Sequence, residues 1–342
     1  MTTIDRRLFL KSVSAAGLAA GVSLAQGDSP IFAARKSGES PGKSGHSPAA
    51  AGGEPALKRK FTMCLSCGMI GVGADQREAI RLASRFGFEA VDPNGDFLAR
   101  LPDGQLQELL ADLKSKKLVW GSAGLPVDFR GEEAAFAAGM KRLAELAKGV
   151  KRAGVTRFGT WLSPSHGTLS YEANFAQHAR RLREVAKVLG DHGQRLGLEY
   201  VGPKTSWARG RFPFIHSMAK MKELIAEIGR DNVGLMLDSW HWYTAHETVA
   251  DLLSLRNSDV VCCHLNDAPK GIVVDEQIDN RRALPCATGV IDLKGFLGGL
   301  VRIGYDGPIA AEPFDRTLAK LPKDDALARA AAAMKKAFAL VE

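Results

Sequence analysis

Short apolar runs alternate with longer amphipathic stretches from about residue 60 to the end of the chain. Each apolar run leads through a turn into a stretch with charged residues on one face, as in a β-strand followed by an α-helix. The predicted strands are Phe61–Cys64, Ala90–Asp92, Leu118–Gly121, Arg157–Trp161, Leu196–Val201, Gly234–Asp238, Val260–Leu265 and Ile309–Glu312. The predicted helices are Arg77–Phe86, Gln105–Lys116, Glu132–Ala153, Tyr171–His192, Ser217–Ile228, Thr248–Leu255, Leu293–Ile303 and Lys323–Leu340.

Eight strand and helix units of about 35 residues each match the size of one (β/α)8 TIM barrel. The main alternative is a doubly wound open sheet, which usually carries a glycine-rich phosphate turn early in the chain. Residues 68–73 have the spacing Gly-x-x-Gly-x-Gly in place of that motif, with no acidic ribose partner at the expected distance. The sequence therefore predicts a single α/β barrel over residues 58–342.

The last four predicted strands each end in a side chain that can bind a metal. These side chains are Glu199, Asp238, His264 and Glu312. A charged group at the end of an apolar strand is unfavourable unless it is paired or coordinated. Since the carboxyl ends of barrel strands meet at one rim, we expect the four to lie together. Alternation places mostly small, uncharged residues below them, namely Gly197, Met236, Cys262 and Ala310. Three carboxylates and one imidazole suit Mn²⁺ or Mg²⁺ best and can also take Co²⁺ or Zn²⁺.

The segments around these four positions resemble the sugar phosphate isomerase/epimerase group of the xylose isomerase-like TIM barrels. They are Leu196–Thr205, Leu237–Tyr243, Val261–Pro269 and Gly304–Phe314. The resemblance implies that the four residues are the metal ligands and that Glu199 and Glu312 are also the catalytic acid and base. It further implies that His241 contacts the substrate. One departure is Ala287, which stands where many relatives have a glutamate, so a substrate contact or loop shape that depends on that glutamate is not expected here, whereas metal binding is unaffected.

Such a site can move a proton next to a carbonyl group. A divalent ion stabilises the resulting enediolate, while one glutamate removes a proton and the other returns it. Return of the proton gives epimerisation or isomerisation of a sugar or keto-sugar. Loss of a β-substituent instead makes the protein a lyase or dehydratase that acts on an inosose or 3-keto-glycoside. A non-catalytic sugar-binding barrel is the alternative from another class. Endonuclease IV-type barrels share the scaffold, but they bind three zinc ions through more strand-end histidines than this chain offers.

Rim residues are expected to select the substrate. The candidates are Trp161, His166, Lys204, Trp240, His241, Asp267, Arg281 and Arg282. Asp92 either joins them or caps the turn that follows the second strand. The stretch 267–292 is too long for a plain connection, so we expect it to cover the site.

The first 25 residues resemble a twin-arginine export signal. Arg6 and Arg7 precede the apolar run Val13–Ala25, which is too short to span a bilayer. Residues 26–57 are rich in Ser, Gly, Pro and Ala and are predicted to form a flexible linker. We therefore expect a periplasmic or extracellular enzyme that acts on a free, unphosphorylated sugar or polyol, with no membrane attachment beyond the export signal.

Charge and cysteine content bear on two further functions, nucleic-acid binding and cysteine chemistry. The net charge is +8, but residues 1–60 hold nine Lys or Arg against four Asp or Glu, so the barrel is nearly neutral. Charge therefore gives no support to nucleic-acid binding. The five cysteines include one Cys-x-x-Cys, Cys64 and Cys67, with no second pair at zinc-finger spacing. A structural role is predicted for this pair, and the chain is compatible with a homo-oligomer.

Overall fold

Parallel strands form the centre of the molecule. A computed structural model describes residues 58–342, and the predicted signal peptide (1–25) and linker (26–57) lie outside these residues. The strands are β1 (Thr62–Leu65), β2 (Ala90–Val91), β3 (Val119–Trp120), β4 (Ala123–Gly124), β5 (Arg157–Trp161), β6 (Ser165–His166), β7 (Arg195–Glu199), β8 (Phe212–Pro213), β9 (Val233–Asp238), β10 (Val260–Leu265) and β11 (Pro308–Ala311).

Within residues 58–342, nine of these strands form one parallel sheet in the order β3-β2-β1-β11-β10-β9-β7-β5-β4. The two edge strands, β3 and β4, are separated in the chain only by Gly121 and Ser122. The third predicted strand, Leu118–Gly121, contains β3, and β4 lies just beyond its predicted end, so one short stretch of chain joins both ends of the curled sheet. The break falls at Gly121, where a β-carbon would overlap the Asp92 carboxylate and the Cys64 thiol. The predicted (β/α)8 barrel is confirmed.

Small side chains and one methionine fill the barrel below the rim. The buried side chains Cys64, Ala90 and Ala310 form one cluster, and Met236 with Cys262 belongs to another. A β-carbon at Gly159 would lie 2.8 Å from the Met236 sulfur, so glycine at this position makes room for the longer side chain across the barrel. Cys64 donates from its thiol to the Asp92 carboxylate at 3.3 Å, which places the first cysteine of the Cys-x-x-Cys inside the barrel.

Helices cover the outside of the sheet. They are α1 (Gln76–Phe86), α2 (Gly95–Arg100), α3 (Asp103–Ser115), α4 (Glu133–Lys151), α5 (Tyr171–Gly190), α6 (Lys204–Trp207), α7 (Met218–Ile228), α8 (Ser239–Thr244), α9 (Val249–Leu253), α10 (Leu293–Arg302) and α11 (Lys323–Phe338). No helix in the described part of the chain is both long and apolar enough to cross a membrane.

Local sequence signals fix where the long helices begin and end. Asp75 caps α1 by accepting a hydrogen bond from the Glu78 amide at 2.8 Å, and Gly87 ends the helix at φ 78°, where a side chain would be strained. The short helices α2, α6 and α8 were not predicted, and neither was the antiparallel pair β6 and β8. They span only two to six residues each, too few for a hydrophobic period to appear.

Candidate active site and metal centre

Glu199, Asp238, His264 and Glu312 lie together at the carboxyl rim of the barrel. One ligand atom from each lies within 4.8 Å of the others. Among residues 58–342, these four side chains form the cluster that could hold a metal ion. Glu199 ends β7, Asp238 ends β9, His264 lies in β10, and Glu312 directly follows β11. All four are buried.

The chemistry of this group fits a divalent ion. Oxygen and nitrogen ligands about 2.1 Å from a six-coordinate ion lie roughly 3 to 4 Å apart, close to the spread seen here. Although burial opposes the charged ring, Glu312 and Glu199 raise the pKa of His264 to about 9. Its Nδ1 lies 3.4 Å from Glu199 Oε1 and 3.7 Å from Glu312 Oε2. A bound cation would replace that proton, because only the neutral ring is a ligand.

Asp238 is oriented by neighbours on both of its oxygens. Its Oδ1 accepts hydrogen bonds from the Trp240 amide at 2.7 Å and from Asn266 Nδ2 at 3.0 Å. Its Oδ2 accepts one from Arg282 at 2.7 Å. Although burial works against the charged form, the guanidinium of Arg282 holds the pKa of Asp238 far below its usual range. Asp238 therefore stays ionised, as a metal ligand must.

His241 lies beside the four ligands as a neutral donor. Its Nδ1 accepts a hydrogen bond from the Gly202 amide at 3.1 Å, so the ring proton of the neutral form lies on Nε2. Burial lowers the pKa of His241, although Asp238 and Glu199 oppose this shift. Nε2 lies 3.9 Å from Glu199 Oε2. The ring can thus donate a hydrogen bond into the space next to Glu199.

Arg282 and Asp279 reach the same site from the long segment 267–292. The Arg282 guanidinium donates to Asp238 Oδ2, Glu312 Oε2 and Asp279 Oδ1, each at 2.7 Å. It also lies 5.3 Å from the centre of the Trp240 ring, and Trp240 itself is completely buried. The segment therefore contributes side chains to the centre of the site.

Asp267 organises the start and end of this segment. Its buried carboxylate accepts hydrogen bonds from the backbone amides of residues 268, 288, 289, 290 and 291 at 2.7 to 3.2 Å. Its backbone also forms a bridge with Ala283, next to Arg282. Both carboxylate oxygens are thus occupied within the segment, where the sequence suggested a substrate contact. Ala287 lies in the same turn, with its amide bonded to the Leu284 carbonyl at 3.0 Å.

The other rim candidates make contacts at several places on the rim. Lys204 pairs with Asp275 at 2.8 Å, and both are partly exposed. The His166 Nδ1 accepts from the amides of Thr168 and Leu169. Trp161 pairs with Glu199 in the register of β5 and β7, and its ring lies 4.4 Å from the Arg130 guanidinium. Arg281 is exposed. Of the predicted substrate residues, Trp161, Trp240, His241 and Arg282 thus lie beside the metal ligands, whereas Lys204 and His166 bond to other residues of the rim.

Asp92 lies among the first three barrel strands and does not cap the following turn. Its Oδ1 accepts from the Ser122 amide at 3.0 Å, whereas Asn94 caps α2. Burial raises the pKa of Asp92.

The comparisons with known proteins agree with this geometry. A model of the family described as xylose isomerase-like TIM barrel matches residues 80–337. This chain belongs to that family. The solved structure of a xylose isomerase domain protein from Alicyclobacillus acidocaldarius is 32% identical, covers 82% of this chain and 99% of its own, and has a TM-score of 0.72. A structure of the IOLI protein with a bound zinc atom shares the fold at 18% identity, with a TM-score of 0.68 over 82% of this chain and 98% of that one.

Curated relatives of this family member are enzymes. Inosose isomerase of Halalkalibacterium halodurans is 27% identical over 150 residues, which is 43% of this chain and 49% of that protein. A 3-dehydroshikimate dehydratase of Pseudomonas aeruginosa is 26% identical over 136 residues, which is 39% of this chain and 20% of that protein. The chain spans about half the length of the inosose isomerases it matches, and a smaller part of the dehydratases.

Two residues of the site, Asn266 and Asp279, were not predicted from the sequence. Asn266 bridges Asp238 and the Glu312 carbonyl, and it lies two positions after His264 on the same strand face, so alternation could have indicated it. Asp279 holds Arg282 and lies in an irregular segment, where no periodic signal exists.

Glu247 makes the stability of this barrel depend on pH. Burial raises the pKa of Glu247 to about 7, and its carboxylate is bonded by the Tyr200 hydroxyl and the Met218 amide. Between about pH 4.5 and 7 the folded protein keeps a proton that the unfolded chain releases, so the free energy of unfolding falls as pH rises. Compared with Glu247→Gln, the wild type should lose about 3 kcal/mol across this window. Urea unfolding of both proteins at pH 5 and pH 8 measures the difference, and parallel pH profiles would contradict the assignment.

Proposed function

We propose that this protein is a divalent-metal-dependent isomerase or epimerase of a sugar or keto-sugar, with Glu199 and Glu312 as the acid and base. The observation that carries the proposal is the convergence of three carboxylates and one imidazole within 4.8 Å at the barrel rim. The isomerase among the curated relatives supports the reaction class. Mn²⁺ or Mg²⁺ suits this ligand set best, and Co²⁺ or Zn²⁺ also fits.

The side chains divide the chemistry among them. A divalent cation would act as a Lewis acid that stabilises negative charge on substrate oxygens. Glu199 and Glu312 come from the ends of different strands, and both are buried. One can therefore remove a proton from the carbon next to the carbonyl while the other returns it. His241 can donate from Nε2 to a substrate oxygen.

We propose that the substrate is a free sugar or polyol. A neutral substrate needs hydroxyl-binding groups and apolar ring faces, which Trp161 and His166 can supply at the rim. Lys204 and Arg281, also at the rim, are the candidates for contact with an anionic substituent.

Hydrogen exchange tests the proposed chemistry directly. The purified protein with Mn²⁺ in D₂O is expected to incorporate deuterium into a ketose or an inosose next to the carbonyl, as followed by NMR. Removal of the metal by a chelator should abolish exchange, and added Mn²⁺ should restore it. A screen in which sugars bind but no carbon-bound hydrogen exchanges would show a sugar-binding barrel and would overturn the enzymatic proposal.

Elimination is the second candidate, since a dehydratase is among the relatives. Here one glutamate removes the proton next to the carbonyl, and the β-hydroxyl leaves as water with a proton from the other glutamate. A conjugated carbonyl forms and absorbs in the ultraviolet. Isomerisation and epimerisation give no such chromophore and no loss of mass, so absorbance and mass spectrometry of the product separate the two reactions.

We also propose that the N-terminal segment directs export by the twin-arginine route. Replacement of both Arg6 and Arg7 by lysine is expected to retain the protein in the cytoplasm, because that route reads the arginine pair. Cell fractionation of wild type and variant measures the outcome. An equal exported fraction for both proteins would contradict the proposal.

A further inference from the structure

The Arg282 guanidinium is bonded to three carboxylates of the site. One terminal nitrogen donates to Asp238 and Glu312, and the other donates to Asp279, all at 2.7 Å. Its Nε donates to the Asp279 carbonyl at 2.8 Å. The side chain has no exposed surface. With these contacts, four of its five N–H groups are used inside the protein, and the second terminal nitrogen also lies 3.3 Å from His241 Nε2.

Several buried carboxylates gather around Arg282. Glu199, Asp238, Glu312 and Asp279 are carboxylates that share one buried region. Arg282 pairs with the last three of them, and the His264 ring lies 3.4 Å from Glu199 and 3.7 Å from Glu312. Buried carboxylates without a counter-charge are strongly unfavourable. The guanidinium therefore supplies positive charge to two of the side chains that would also hold a divalent ion.

From these contacts we propose that Arg282 is an internal counter-cation that keeps the carboxylates in place before a metal binds and limits how tightly the metal is then held. The inference rests on the proposed metal site. A divalent ion bound to Asp238 and Glu312 would lie close to the guanidinium, and the two like charges repel each other. Arg282 is thus a positioning residue whose positive charge also opposes the ion.

A purely orienting role predicts the opposite effect on metal affinity. If Arg282 only aligned Asp238 and Glu312, its loss would leave the ligands misaligned, and the metal would bind more weakly. If its charge competes with the ion, its loss leaves a more negative site, and the metal binds more tightly. The sign of the change in affinity therefore separates the two roles without any measurement of turnover.

The test compares Arg282→Met with Arg281→Met. Methionine is long, flexible and uncharged, so it can fill the buried volume, and Arg281 is the exposed neighbour in the same segment. Calorimetry with Mn²⁺ is expected to give a Kd at least about tenfold lower for Arg282→Met than for wild type, and an unchanged Kd for Arg281→Met. Without metal, Arg282→Met should melt at a lower temperature than wild type, and Mn²⁺ should raise its Tm by more. An equal or higher Kd for Arg282→Met would overturn the proposal.

Two further measurements separate the charge role of Arg282 from an orienting role and cover the case in which Arg282→Met does not fold. Arg282→Lys retains the charge but loses the planar fork, so its Kd for Mn²⁺ should stay within about threefold of wild type, whereas an orienting role predicts weaker binding. If Arg282→Met does not fold alone, saturating Mn²⁺ should restore its native circular dichroism, and a failure to do so counts against the proposal. If the wild type itself binds no divalent metal, both this inference and the proposed function fail. If it binds Mn²⁺ and Arg282→Met binds no tighter, only the inference fails.

Discussion

Glu312→Gln is expected to lower turnover by about three orders of magnitude while the barrel stays folded. The amide keeps the size of the side chain and still offers an oxygen to Arg282, which now donates to Glu312 Oε2 at 2.7 Å. It cannot accept a proton at neutral pH, and it is a poorer ligand for a hard cation than a carboxylate. Both effects remove stabilisation that the reaction needs, so the loss should appear mainly in kcat.

The measurement is the rate of deuterium exchange or product formation with saturating Mn²⁺, beside circular dichroism and Tm. Glu276→Gln is the matched control, because Glu276 is an exposed glutamate in segment 267–292, and it should retain the wild-type rate. A wild-type rate for Glu312→Gln would remove Glu312 from the mechanism. An unfolded variant would instead show that the charge of Glu312 is needed to balance Arg282.

Asp267→Ala is expected to release segment 267–292 from the rim and to lower the free energy of unfolding by about 3 kcal/mol. The buried carboxylate is the acceptor for five backbone amides of that segment. Burial raises the pKa of Asp267, but the hydrogen bonds from these amides lower it by more, as expected for an ionised acceptor. Alanine leaves the amides without this partner. Because the Asp267 bridge to Ala283 lies next to Arg282, the site should lose order as well.

Hydrogen exchange followed by mass spectrometry measures this effect on peptides from residues 267–292. Protection should fall there far more than in the barrel strands. Asp275→Ala is the control, because Asp275 lies in the same segment and makes only partly exposed ion pairs with Lys204 and His246, which contribute little. Equal protection in Asp267→Ala and Asp275→Ala would show that the carboxylate does not organise the segment.

The strand ends explain why the metal ligands could be predicted and their partners could not. Glu199, Asp238 and His264 each stand in an apolar strand, where a charged side chain is conspicuous, and the barrel brings such ends to one rim. Asp279 and Arg282 come from an irregular segment. Arg282 was named as a rim candidate, but nothing in the spacing of that segment indicates that its side chain turns inward onto Asp238 and Glu312. The short elements α6, α8 and β6 were missed for the related reason that they are too short to show a period.

The sequence by itself determined the order of strands and helices, the barrel and the four side chains at its rim. These follow from local alternation, repeat length and the high cost of a charge inside an apolar strand. The tertiary structure alone decided that the third strand divides at Gly121, that Asp267 organises a segment, and that Arg282 lies against Asp238 and Glu312. Each of these depends on contacts between residues far apart in the chain, because shape and charge across the barrel are set only when the sheet has closed.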